Sequence, residues 1–224
     1  MTGTIAGPDL AKLRALYLAA QLRGDRREAL RVVMTEGLES GLSVRELSES
    51  VIGGAQREIG ELWQRNELGI ADEHMATAIS NLVLAQLYER SEQAPANGKS
   101  ILVACVEGEL HELPARLVAD ALDAAGFSVR FLGASVPTDS LLDMIGKHRP
   151  DLLALSATMS FHASALRSAV ERVRVAHPKL PIAVGGGACL WSSGLAEELR
   201  ADATSTTASE LVEVAQRLLG VRSR

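Results

Sequence analysis

The stretch Ser100-Ile-Leu-Val-Ala-Cys105, followed by Glu109-Leu110-His111-Glu112-Leu113-Pro114, decides the fold of this chain. An uninterrupted apolar run of this length predicts a strand buried on both faces. Pro114 suits the first turn of a helix, so a helix opens there. Strand, short loop and helix begin a parallel α/β unit. The loop places Glu109 and His111 at the C-terminal end of the strand, the edge at which open α/β sheets take their ligands. Further apolar runs follow at 128–132, 151–156 and 181–185, with a weaker one at 202–204. Helical stretches separate them at about 113–126, 138–148, 161–176, 188–200 and 208–219. The expectation is a flavodoxin-like, doubly wound parallel sheet of five strands.

Before this region the pattern is helical. Asp9 starts a helix that Gly24-Asp25 ends, a second covers 26–39, and Ser43 with Glu46 forms a capping-box pattern for a third that reaches Arg65. Asn66-Glu-Leu-Gly69 is a turn, and a fourth helix covers Ile70 to Ser91. Four helices with short turns predict an antiparallel bundle. The division is therefore 1–92 for the bundle, 93–99 (Gln-Ala-Pro-Ala-Asn-Gly-Lys) for a linker, and 100–224 for the α/β domain. The 224 residues are 47% apolar and 23% charged, as in a soluble globular protein. No run approaches a membrane span and no signal peptide is legible, so a cytoplasmic protein is expected. A net charge of −5 argues against a large nucleic-acid surface. Cys105 and Cys189 read as buried, reduced thiols.

Two constellations carry chemistry. In Glu109-x-His111 a carboxylate can fix the tautomer and orientation of an imidazole, the arrangement that supports a metal-ligating histidine; the alternative is a solvated loop histidine beside two glutamates. Ser156-Ala-Thr158 and Gly185-Gly-Gly187 end the third and fourth strands at the same edge. Small hydroxyls and bare backbone there outline, with His111, one elongated slot, although the glycines also fit a strand-to-helix turn. His162 follows Ser156-Ala-Thr-Met-Ser160 and could approach a ligand, but reads rather as a helix-start residue facing solvent. In the bundle, Trp63 is followed by nine residues and then Glu73-His74. A tight helical hairpin brings these positions together, unless Trp63 is simply core and Glu73 and His74 are polar residues of a helix start.

The α/β region resembles the cobalamin-binding domain family, whose signature is an acidic residue, one residue, His, two residues and Gly, then a Ser-x-Leu/Thr segment and Gly-Gly. Here Pro114 stands where that pattern has Gly. The resemblance implies that His111 is the lower axial cobalt ligand, oriented by Glu109. It also implies that the displaced nucleotide tail lies along Ser156, Thr158, Gly185 and Gly186. Trp63, nine residues and Glu73-His74 resemble the motif of adenosylcobalamin-dependent photoreceptors of the light-sensing repressor type. That resemblance implies Trp63 packing against the adenosyl group, with polar contacts from Glu73 and His74. Gln64 stands where some of those repressors have a second cobalt-binding histidine. The chain begins almost directly with the bundle, so direct DNA binding is not expected.

The resemblance implies a cobalamin-binding light sensor rather than an enzyme. Photolysis of the cobalt–carbon bond of adenosylcobalamin would change a domain or oligomer arrangement and signal to a protein partner or through a homo-oligomer. The alternatives are a corrinoid shuttle subunit for methyl transfer, a photocobilin-like sensor that adds a bilin such as biliverdin, and a module that reports cobalamin level without light.

Overall fold

The Asp9 carboxylate accepts hydrogen bonds from the amides of Ala11, at 2.9 Å, and Lys12, and so starts helix α1 (Leu10–Leu22) in the computed structural model of the chain. The structure describes residues 9–191 and 198–221. They form two compact units that divide between Ser91 and Glu92. In the first, α1 is followed by α2 (Arg26–Arg31), α3 (Val44–Glu46), α4 (Gly53–Gln64) and α5 (Ile70–Tyr88). The capping box at α3 is present: the Ser43 amide donates to Glu46 Oε2 at 2.9 Å, and the Glu46 amide to Ser43 Oγ at 3.2 Å.

The second and third helices are not uniform, as the sequence reading had them. Val32–Gly37 and Leu47–Ile52 are π-helical, and a 3₁₀ turn, Leu38–Ser40, closes the second helix. The buried residues explain the change: Val32, Val33 and Gly37, and then Leu47, Val51 and Ile52, stand one, four and five apart. Turns closed i to i+5 keep such a set on one inward side. Gly37 is required where they meet, because a Cβ there would come within 2.5 Å of Leu47 Cδ2.

In the second unit the strands are β1 (Ser100–Cys105), β2 (Ser128–Phe131), β3 (Leu152–Ser156), β4 (Ile182–Gly185) and β5 (Ala203–Ser205). All pairs are parallel, in the order β2-β1-β3-β4-β5. The helices are α6 (Leu113–Ala124), α7 (Thr138–His148), α8 (Ala163–Ala176), α9 (Gly187–Trp191) and α10 (Ala208–Leu219). The helix expected over 188–200 runs in part outside the described residues. Strand periodicity divides the core into two layers. Leu102, Ala104, Leu153 and Leu155 pack with Leu141 and Ile145 of α7 and with Leu166 and Val170 of α8. Ile101, Val103, Cys105 and Ala154 pack with Leu122 of α6 and Leu211 and Val214 of α10. Because both faces are covered, the strands read as unbroken apolar runs. Among the described residues no helix is long and apolar enough to cross a membrane.

Residues 93–99, expected as a linker, are hydrogen-bonded to the second unit. The Ala94 amide donates to the Ala124 carbonyl at 2.8 Å and the Asn97 amide to the Gly126 carbonyl at 2.9 Å. Gly126, at φ +86°, makes this approach feasible, since a Cβ would lie 2.4 Å from the Pro95 carbonyl oxygen. Gly126→Ala therefore meets both a left-handed backbone and a backbone collision. It is expected to lower the stability of the second unit by about 3 kcal/mol, read as a fall in the urea midpoint; an unchanged midpoint would show that the segment is not held there.

Candidate cofactor site

The order β2-β1-β3 sends the chain from β1 to one side of the sheet and brings it back on the other, so the loops after β1 and β3 diverge and leave a crevice at the C-terminal edge. Cys105, Ser156, Gly185 and Ser205 form one row across that edge. Gly108, at φ +85°, turns the first loop, and its amide donates to Ser135 Oγ at 3.1 Å. The turn carries Glu109 inward, where it is fully buried.

Glu109 organises the site. Its Oε1 accepts from the His111 amide at 2.9 Å and lies 2.6 Å from His111 Nδ1. Its Oε2 accepts from the amides of Thr158, at 2.7 Å, and Met159, at 3.0 Å, and lies 2.9 Å from His162 Nδ1. Burial by itself would push this carboxyl up. The hydrogen bonds from the His111 side chain and amide, His162 and the Met159 amide outweigh burial and hold it well below the usual carboxylate range. An ionised Glu109 accepts only, so each imidazole directs an Nδ1–H at it, and in a neutral ring the lone pair then falls on Nε2. The His111 side chain is 41% exposed and that of His162 15%, so His111 is the outward ring.

The expectation for His162 is corrected here. Instead of facing solvent at a helix start, it bonds Glu109, and its Nε2 packs close to Gly108, 3.3 Å from where a Cβ would stand. Phe161 packs edge-on against its ring with centroids 4.5 Å apart. Phe161 and Leu110 are large exposed apolar side chains on the two loops beside the imidazoles.

Ser156 is buried at the end of β3. Thr158 gives its amide to Glu109, while its buried Oγ1 has no partner among the described residues. Gly186, at φ +93°, has the Ala157 carbonyl oxygen 2.3 Å from the position of a Cβ, and Gly185 has the Ser205 carbonyl oxygen at 2.9 Å. The bare backbone at both positions thus lets β4 turn tightly against its neighbours. Pro114 stands within the first turn of α6, which starts normally at Leu113. Beneath the loop, burial and then the charges of Glu109 and Glu112 push the Cys105 thiol up to about 12, so it is inert. Cys189 is half-buried rather than buried, and both cysteines are free.

In the first unit, Trp63 is half-buried in the last turn of α4, and Glu73 and His74 lie in the first turns of α5. The hairpin between them is tight: the amides of Asn66 and Glu67 donate to the carbonyls of Trp63 and Leu62, both at 2.9 Å. Glu73 lies 2.5 Å from His74 Nδ1 and accepts from Thr77 Oγ1 at 2.8 Å. The structure thus brings Glu73 and His74 together, with His74 the exposed member.

A corrinoid needs an oriented imidazole and polar atoms for its tail. An anchored His111 and the orphaned Thr158 hydroxyl fit that need. No group of three or more metal-ligating side chains is found among the described residues.

A family model described as "B12 binding domain" matches residues 99–212, and a second of the same description matches 13–88. The chain is 25% identical over 186 residues to "Dimethylamine corrinoid protein 1" of Methanosarcina acetivorans, covering 82% of this chain and 87% of that one. It is 32% identical over 144 residues to "HTH-type transcriptional repressor CarH" of Myxococcus xanthus, covering 63% of this chain and 47% of that one. Its fold is similar to that of the monomethylamine corrinoid protein of Methanosarcina barkeri, with a TM-score of 0.80 at 21% identity over 94% of this chain and 100% of that one.

Glu109→Gln leaves one side of the residue an amide NH₂ facing N–H donors. It is expected to cost about 3 kcal/mol of stability. It should also remove the preference of His111 and His162 for the Nδ1–H tautomer, read by ¹⁵N NMR of the imidazoles. Identical tautomer signals in the two proteins would rule out an orienting role for Glu109.

Proposed function

This chain belongs to the B12 binding domain family, and we propose that it is a cobalamin-binding light sensor that uses adenosylcobalamin. The observation that carries this reading is Trp63, separated by nine residues from Glu73-His74, within a region matched by one B12 binding model and followed by a region matched by another. His111 would hold cobalt through Nε2, with its proton kept on Nδ1 by Glu109. Ser156, Thr158, Gly185 and Gly186 would line the path of the nucleotide tail. Trp63 would pack against the adenosyl group, with Glu73 and His74 as polar neighbours. When bound, adenosylcobalamin supplies a cobalt–carbon bond that light breaks. Removing the adenosyl group would leave the half-buried Trp63 with a face to rebury, a packing change that can bias a two-state element read by a protein partner or a second copy.

A second reading, a corrinoid shuttle subunit for methyl transfer, is favoured by a different observation. The similarity to the dimethylamine corrinoid protein extends over most of both chains. Under that reading Trp63 is a half-buried packing residue of the bundle, and the upper face serves a methyltransferase partner.

Protein loaded with adenosylcobalamin is expected to change its absorption spectrum and elution volume after green light, and His111→Ala to alter the dark spectrum. Identical dark and illuminated states would sink the light reading, and an unchanged His111→Ala spectrum the axial assignment. Red absorbance after loading with biliverdin would add a bilin. Trp63→Ala should lower the preference for adenosylcobalamin over methylcobalamin about tenfold. A wild-type preference for methylcobalamin would select the shuttle.

A further inference from the structure

Ser80, in the middle of α5, is fully buried and bound by three side chains from two other helices. Tyr17 Oη of α1 lies at 2.9 Å, Gln21 Nε2 of α1 at 2.9 Å and Gln56 Nε2 of α4 at 2.8 Å. Two amide donors fill both lone pairs of the hydroxyl, and its proton then goes to Tyr17, so Ser80 is saturated. Gln21 is also tied to the backbone of α5, donating to the Ala76 carbonyl at 3.0 Å, yet its Oε1 has no partner among the described residues. A buried network left partly unsatisfied is less favourable than an apolar core of the same shape. Its use is therefore geometric: it permits one alignment of α1, α4 and α5, as single buried polar residues fix register in coiled coils.

The alignment it permits has a definite consequence. Gln56 and Trp63 lie seven residues apart within α4, and Ser80 and Glu73 seven apart within α5. Seven residues are nearly two full turns, so each pair shares a face, about 10.5 Å apart along the axis. In an antiparallel hairpin, seven steps towards the turn on one helix are matched by seven on the other. The Gln56–Ser80 bond therefore sets Trp63 level with Glu73. The burial agrees: Ala76, Ser80, Val83 and Leu87 mark the inner face of α5, and the Glu73 side chain is 17% exposed against 72% for its neighbour His74.

We propose that Ser80, with Gln56, Gln21 and Tyr17, is a register lock that places Trp63 opposite Glu73. These are positioning residues, and their effect on ligand choice rests on the reading of Trp63 and Glu73 given above. The test uses the full chain carrying Trp191→Phe, so that fluorescence reports Trp63 alone. Ser80→Ala and Gln56→Met should each shift Trp63 emission in the cofactor-free protein. In the loaded protein they should lower the preference for adenosylcobalamin over hydroxocobalamin about tenfold, equivalent to about 1.4 kcal/mol. Ser80→Thr, which keeps the hydroxyl, should restore both, while Val83→Ala, an apolar loss on the same helix, should lower stability and move neither. If Ser80→Ala loses its helical circular dichroism, Gln56→Met decides, since Gln56 is only half-buried. Emission and preference in Ser80→Ala and Gln56→Met equal to those of Val83→Ala would overturn the proposal. A shift in emission without any adenosyl preference in the parent protein would support the lock and instead refute the assigned ligand.

Discussion

The candidate site depends on one desolvated carboxylate. Glu109 has no solvent exposure, and a buried carboxylate is tolerated only when its oxygens are saturated by donors. Here the donors come from both sides of the crevice: the β1 loop supplies His111, and the β3 loop supplies the Thr158 and Met159 amides and His162. The same bonds that keep Glu109 ionised orient the outward imidazole and hold the two loops together. The site is thereby arranged before any cofactor arrives, and the backbone amides that serve Glu109 leave the Thr158 hydroxyl as the polar group still to be satisfied.

The two units use buried polarity differently. In the α/β unit the polar groups sit at the end of the strands, and the core layers beneath them are apolar on both faces of the sheet. In the bundle, the polar cluster at Ser80 lies inside the core itself. The π-helical turns belong with this second strategy. They gather Leu47, Val51 and Ile52, which an unbroken α-helix would spread over an arc of about 140°, onto a narrower inward face.

How far the fold was legible follows from the strength of each local signal. The five strands stand within a residue of the apolar runs, because burial on both faces leaves little room for polar residues within them. Ser43 with Glu46, and the turn at 66–69, were legible because caps and turns demand particular residue types. The π-helical turns were not, since their only trace is a doublet of buried residues at four and five from an earlier one. Residues 93–99 have the composition of a linker, and only the hydrogen bonds to Ala124 and Gly126 show where they lie. At the site, Glu109 and His111 could be paired because they are two residues apart. His162 could not, because its bond to Glu109 spans 53 residues and no local pattern encodes it.

That span has a kinetic side. The bonds from Glu109 to Thr158 and Met159 cross 49 and 50 residues, and such non-local contacts form only after the intervening chain has been ordered. During synthesis β1, its loop and α6 emerge well before β3, and in that interval the Glu109 carboxylate has neither amide to satisfy it and stays hydrated. The bonds from His111 to Glu109 Oε1 are local, but the carboxylate that they use is pinned through Oε2 only when β3 has docked beside β1. The oriented His111 ring, held together with His162 around one carboxylate, is thus a late product of folding, and a chain with an unfinished sheet lacks that paired arrangement.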